Sequence, residues 1–100
     1  MLDALQAETP YRLTLHGKKL CIDGRNEDVI EDDRRRWLDR NLPYSVMLNL
    51  DGLGSTPKVK KRKEANQFAH DHCGHFWMVI GYRFYFENQK EAAIFRLHWG

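Results

Sequence analysis

The sequence predicts an α+β fold. It reads as a two-layer domain with a mainly antiparallel sheet and helices on one face, in the order β-β-α-β-α-β-α, with a last strand as an option at the end. Three observations lead there. Alternating or continuous apolar runs occur at "YRLTLHGKKLCIDG", "YSVMLNL" and "HFWMVIGYRFYF". Between and after them, apolar residues recur at steps of three and four, as on one face of a helix. The two kinds of segment mix without the regular alternation of a parallel α/β sheet. One hundred residues form one domain, with residues 1–10 read as an arm ahead of it.

The first run is a hairpin turning at Gly17-Lys18, with glycine at the first loop position, as a type II′ turn requires. That loop sets Leu15 opposite Leu20 and Leu13 opposite Ile22 on one face. Arg12 then faces Asp23, and Thr14 faces Cys21, on the other. Apolar pairs inward and an ion pair outward suit a one-sided sheet.

"RNEDVIEDDRRRWLDRNLP" reads as a helix with Asn26 as its N-cap. Acids come early (Glu27, Asp28, Glu31, Asp32) and arginines late (Arg34, Arg35, Arg36, Arg40), which complements the helix dipole. Glu31–Arg35 and Asp32–Arg36 are oriented i,i+4 pairs, so the arginine run is read as a solvated, internally paired face. Ile30, Trp37 and Leu38 make the buried stripe, and Pro43 ends the helix.

"YSVMLNL" alternates, with Tyr44, Val46, Leu48 and Leu50 on one side, and reads as a strand. After "DGLGS", Thr56 and Pro57 read as N-cap and first residue of a second helix reaching Cys73. Ala65, Phe68, Ala69, His72 and Cys73 form its stripe, and Gly74 ends it. Sequence alone leaves residues 57–63 open between helix and loop. "HFWMVIGYRFYF" is one long strand or, alternatively, a hairpin at Gly81-Tyr82 pairing Val79 with Phe84 and Trp77 with Phe86. Asn88 and Glu91 have the spacing of a capping box, so a third helix begins at Gln89. "IFRLHW" also alternates, so residues 94–99 are left open between helix and strand.

Candidate sites are few. "AHDHCGHFW" holds three histidines and a cysteine within six positions. His70 and Cys73, at i,i+3, and His75 beyond them are the residues that would carry a metal, with His16 or Cys21 as a fourth ligand. No standard zinc spacing is met, and Cys73 falls on the apolar stripe, so the expectation is no metal and no cofactor. A Cys–His nucleophile lacks an orienting third group. No paired carboxylates, triad or cofactor loop stands out, and the protein is read as not an enzyme. "DGLGS" lacks the lysine and hydroxyl of a P-loop.

Lys58, Lys60, Lys61, Arg62 and Lys63 crowd five cations into six positions. At a helix start they oppose the dipole, an arrangement suited to an anion such as a nucleic-acid phosphate. "PKVKKRK" also resembles a monopartite nuclear localisation signal. The net charge is only +2, which argues against a dedicated nucleic-acid domain. Tyr44, Trp77, Tyr85 and Trp99 are the candidates for a protein-binding surface. "GYRFYF" shares a glycine and aromatics with the RNA-recognition signature. It departs from that signature at Ile80 and Arg83, and core packing accounts for it better.

The N-terminus has no signal-peptide pattern, and no apolar stretch approaches 18 residues, so the chain is read as cytoplasmic with no membrane partner. "FYFENQKEAAIFRLHWG" resembles the ends of small uncharacterised proteins from tailed bacteriophages. The resemblance implies a compact viral accessory protein that binds a host or viral macromolecule in the host cytoplasm, and the near-neutral net charge favours a protein partner, as for an inhibitor of a host factor, over nucleic acid. Its alternative is binding of a nucleic-acid backbone by residues 55–63.

Overall fold

Two glycine turns set the sheet. The computed structural model describes residues 12–23 and 31–100. Strands β1 (Arg12–His16) and β2 (Lys19–Asp23) pair antiparallel, and Gly17 takes φ 63° at the first loop position. No non-glycine residue among those described has a positive φ, so Lys18 does not, as type II′ requires. The register is the one read from sequence: Arg12↔Asp23, Leu13↔Ile22, Thr14↔Cys21 and Leu15↔Leu20. The Arg12 and Asp23 side chains lie outside what is described. So do Asn26, Glu27, Asp28, Ile30 and the side chains of Glu31, Asp32 and Arg34, with their proposed cap and ion pairs.

Helix α1 (Glu31–Asn41) stops before Pro43, and the Asn41 amide donates to the Trp37 carbonyl at 3.1 Å. Strand β3 (Tyr44–Met47) follows, shorter than the alternating run. Leu48 and Leu50 lie beyond it, yet Leu48 is buried and Leu50 packs on the core, so the apolar side of the run still points inward.

Helix α2 (Ser55–His72) begins two residues before the expected start. Gly54, not Thr56, is its N-cap, and Pro57 stands third in the helix. A proline is tolerated there because first-turn N–H groups have no intrahelical partner. The basic residues 58–63 are therefore helical. Cys73 is the C-cap, with its N–H bonded to the Ala69 carbonyl, and Gly74 follows at C′ as expected, though without a positive φ. Ala65 and Ala69 are fully buried, and their short side chains let α2 lie close to the sheet.

The long aromatic run forms the alternative hairpin, not one strand. Strands β4 (Trp77–Ile80) and β5 (Arg83–Phe86) turn at Gly81, φ 62°, with Val79↔Phe84 and Trp77↔Phe86 in register. Helix α3 (Gln89–Trp99) then takes the whole C-terminal stretch, so the optional last strand does not form. Asn88 caps it, accepting from the Glu91 N–H at 3.1 Å. Ala92, Phe95 and Trp99, at steps of three and four, turn to the core.

The sheet order is β1-β2-β4-β5-β3. Among the described strands, β2 and β4 run parallel, through Lys19↔Trp77, and the other pairings are antiparallel. This is the predicted α+β class, but the helices do not share one face. Trp77, Phe84, Phe86 and Val46 pack with Ala65 and Ala69 of α2 and with Ala92 and Phe95 of α3. Met78, the next residue along β4, joins Leu13, Leu20, Phe76 and the α1 residues Trp37 and Leu38 in a second cluster with Leu42. Successive strand residues point to opposite sides. So α1 covers the opposite face from α2 and α3, and the central strands are buried on both.

Candidate functional site

The five cations of α2 do not form one patch. Arg62 donates its Nε to the Gly81 carbonyl at 2.7 Å, and the Lys61 ammonium donates to the Asn49 carbonyl. These two side chains tie the β4–β5 turn and the segment after β3 to the first turns of the helix. Lys60 and Lys63 point outward and line an open groove with Ser55, Thr56 and Val59. The Gly54 cap offers no side-chain bond and the first turn holds no acid, so Lys58, Lys60 and Lys63 remain as the charge available to an anion.

The histidines and cysteine of "AHDHCGHFW" part company. The His70 ring meets Trp77 edge-on at 5.1 Å, and His72 stacks on Phe68 at 4.2 Å. His75 pairs with Glu91 at 3.3 Å through Nδ1. Among the described residues, no three His, Cys, Asp or Glu side chains gather as a metal site. Glu91 instead organises the segment: its Oε2 accepts the Gly74 N–H at 2.6 Å and its Oε1 the His75 N–H at 3.2 Å. The second half of a capping box, in which this carboxylate would reach back to residue 88, is replaced by a clasp on the end of α2.

Cys73 lines a cavity of about 100 Å³ with Phe68, His72, Glu91, Ile94 and Phe95. Burial, and then the Glu91 charge, push its thiol from 9.0 up to about 12. A thiol held protonated is a poor nucleophile and a poor metal ligand at neutral pH. In a Cys21→Ser background at pH 8, labelling of Cys73 by a disulfide reagent is expected to run at least roughly a hundredfold slower in native buffer than in urea, because the thiolate fraction falls about a thousandfold. Equal rates would show that the thiol is not shielded.

The aromatic candidates divide too. Trp77 is 0% exposed, stacked with Phe84 in the core, so it has no place on a contact surface. Trp99 packs against the α2–α3 cluster and Tyr85 against the α1 side. Tyr44 stays exposed at 38%. Other exposed apolar side chains on β3 and α3 escape sequence reasoning: Leu97, 86% exposed, Met47 at 49% and Ile94 at 48%. Tyr44, Ser45 and Val46 of β3 and Gln89, Ala93, Arg96 and Leu97 of α3 flank an open groove of about 640 Å³. Among the described strands β3 is an edge strand, so this groove runs along an unpaired border of the sheet.

No described helix is long and apolar enough to cross a membrane. Against known proteins, no family model, curated protein or solved structure matches the chain.

Proposed function

We propose that this protein is a non-enzymatic binding domain that acts by protein–protein contact through the outer side of α3 and the free edge of β3. One observation carries the reading: Leu97 stands almost wholly in water beside an open groove and an edge strand. Single exposed leucines are common, but one sharing a groove with Tyr44, Val46 and Ala93 makes an apolar surface with a polar rim of Ser45, Gln89 and Arg96. The C-terminal resemblance adds a setting, a phage-encoded accessory or inhibitor protein meeting a host factor in the host cytoplasm.

The second reading is nucleic-acid backbone binding by residues 55–63. It is favoured by the helix start without a side-chain cap and by the outward Lys60 and Lys63. It is weakened by the engagement of Lys61 and Arg62 with loop carbonyls. Lys60 and Lys63 are therefore the pair to neutralise, since changing Lys61 or Arg62 also loosens the fold.

Affinity capture from host lysate, with and without nuclease, separates the two. Capture is expected to be lost with Leu97→Asp and kept with Lys60→Gln/Lys63→Gln and after nuclease. The opposite pattern, with a log–log salt slope near about −3 for three phosphate contacts, would move the assignment to nucleic acid.

A further inference from the structure

The free edge of β3 has defined limits. The Leu48 N–H donates to the Tyr82 carbonyl at 3.0 Å, continuing the register in which Val46 faces Phe84 and Tyr44 faces Phe86. Hydrogen-bonded pairs alternate along an antiparallel ladder. Tyr44 and Val46 thus turn their N–H and C=O groups toward β5, while Ser45 and Met47 turn theirs outward. The next outward residue in each direction is closed. Asn49 already donates its N–H to the Trp99 carbonyl at 2.9 Å, and Pro43 has no N–H. Among the described residues, what remains open is a short stretch centred on Ser45–Met47. Its own residues carry none of the charges that commonly guard a sheet edge, and the one cation that reaches it among the described contacts is Arg83 of β5, which donates to the Ser45 hydroxyl at 3.3 Å.

The groove above this stretch holds one charged side chain among its described lining residues, Arg96. Arg96 is exposed, and among the described residues no ion pair engages it. The other flanking residues are apolar or neutral. A strand laid against β3 would turn every second side chain into this groove and toward Arg96.

We infer that β3 accepts an extended, acidic segment of the partner protein as a sixth strand, with apolar side chains on Tyr44, Ala93 and Leu97 and a carboxylate on Arg96. The inference rests on the contact reading above and names the form of the partner. Charge decides against a second copy of this chain in the same place. Pairing β3 with its own two-fold mate would bring two Arg96 side chains to a groove that no described acid lines.

A random heptapeptide display selected on the wild-type protein tests it, with the best sequence synthesised and its affinity measured by fluorescence polarisation. Selected peptides are expected to alternate apolar residues and to carry Asp or Glu at one fixed place. Met47→Pro removes one outward donor and leaves the bonds to β5 intact, so affinity is expected to fall roughly tenfold. N-methylation of the peptide at alternate positions gives the same reading without touching the protein, should that variant misfold. Arg96→Glu is expected to turn the selection toward Lys and Arg. The inference is overturned by selection of no binder, by binders lacking a carboxylate, by affinity indifferent to both Met47→Pro and N-methylation, or by sedimentation showing a dimer that occupies the edge. Partner capture lost with Leu97→Asp but kept with Met47→Pro would leave the contact surface standing and remove only strand addition.

Discussion

Phe95→Ala is expected to destabilise the protein by about 3–5 kcal/mol, a large share of what holds a domain of this size folded. Phe95 is 1% exposed and sits where α3 crosses the sheet. Its ring lies 4.6 Å from Phe84 and 5.1 Å from Phe86, with Phe68 of α2 at 6.2 Å. Removing it deletes a side chain that joins α3 to β5 and to α2 at once. The void closes poorly, because Phe84 and Phe86 are fixed by their places in β5. Thermal unfolding followed by circular dichroism should show a midpoint lowered by roughly 15–30 °C, given about 4–8 °C per kcal/mol for a domain of this size. A shift under about 5 °C would mean that α3 packs elsewhere.

Glu91→Ala is expected to cost about 2 kcal/mol and to free the end of α2. The carboxylate satisfies two successive backbone N–H groups and pairs with His75. Cutting the side chain leaves both N–H groups without that acceptor. The His75 pairing itself adds little, because that ring is half in solvent. Glu91→Gln should fall between, since one amide oxygen accepts where two carboxylate oxygens did. Hydrogen exchange at the Gly74 and His75 amides checks this directly. Acceleration in Glu91→Ala with protection kept in β4 supports the clasp, while unchanged exchange would refute it. Cys73 gives a second readout, because removing the negative charge also removes one of the two causes that hold its thiol protonated.

The parts of the fold that are legible in the sequence are those where one local rule acts alone. Gly17, a two-residue loop and clean alternation fix the first hairpin to the residue. The Asn88–Glu91 spacing fixes the start of α3. The aromatic run is different. β4 and β5 are central strands covered on both sides, so "HFWMVIGYRFYF" shows no polar face to count and the turn at Gly81 competes with a single long strand. The same absence of a polar face hides the second helical layer, because a sheet taken as one-sided has room for helices on one face alone.

The candidate surface is legible only in Tyr44. Leu97 reads as core by alternation with Phe95 and Trp99, yet as solvent-facing by helical steps through Ala92, Phe95 and Trp99. Extending the helix signal from the Asn88 cap resolves that conflict and exposes Ile94 and Leu97 together. The cations show the opposite failure. Their number is plain in the sequence, but Arg62 reaching Gly81 across nineteen positions and Lys61 reaching Asn49 are tertiary facts that no spacing reveals.

Because one sheet serves as the common wall of two separate oily compartments, injuries on its two sides should combine independently. A change near Trp37 and a change near Phe95 fall in different clusters, so their costs should sum in a double variant. Such a build lets the solvent-facing positions of α3, Ile94 and Leu97 among them, be reshaped toward new companions by successive substitutions without opening either compartment.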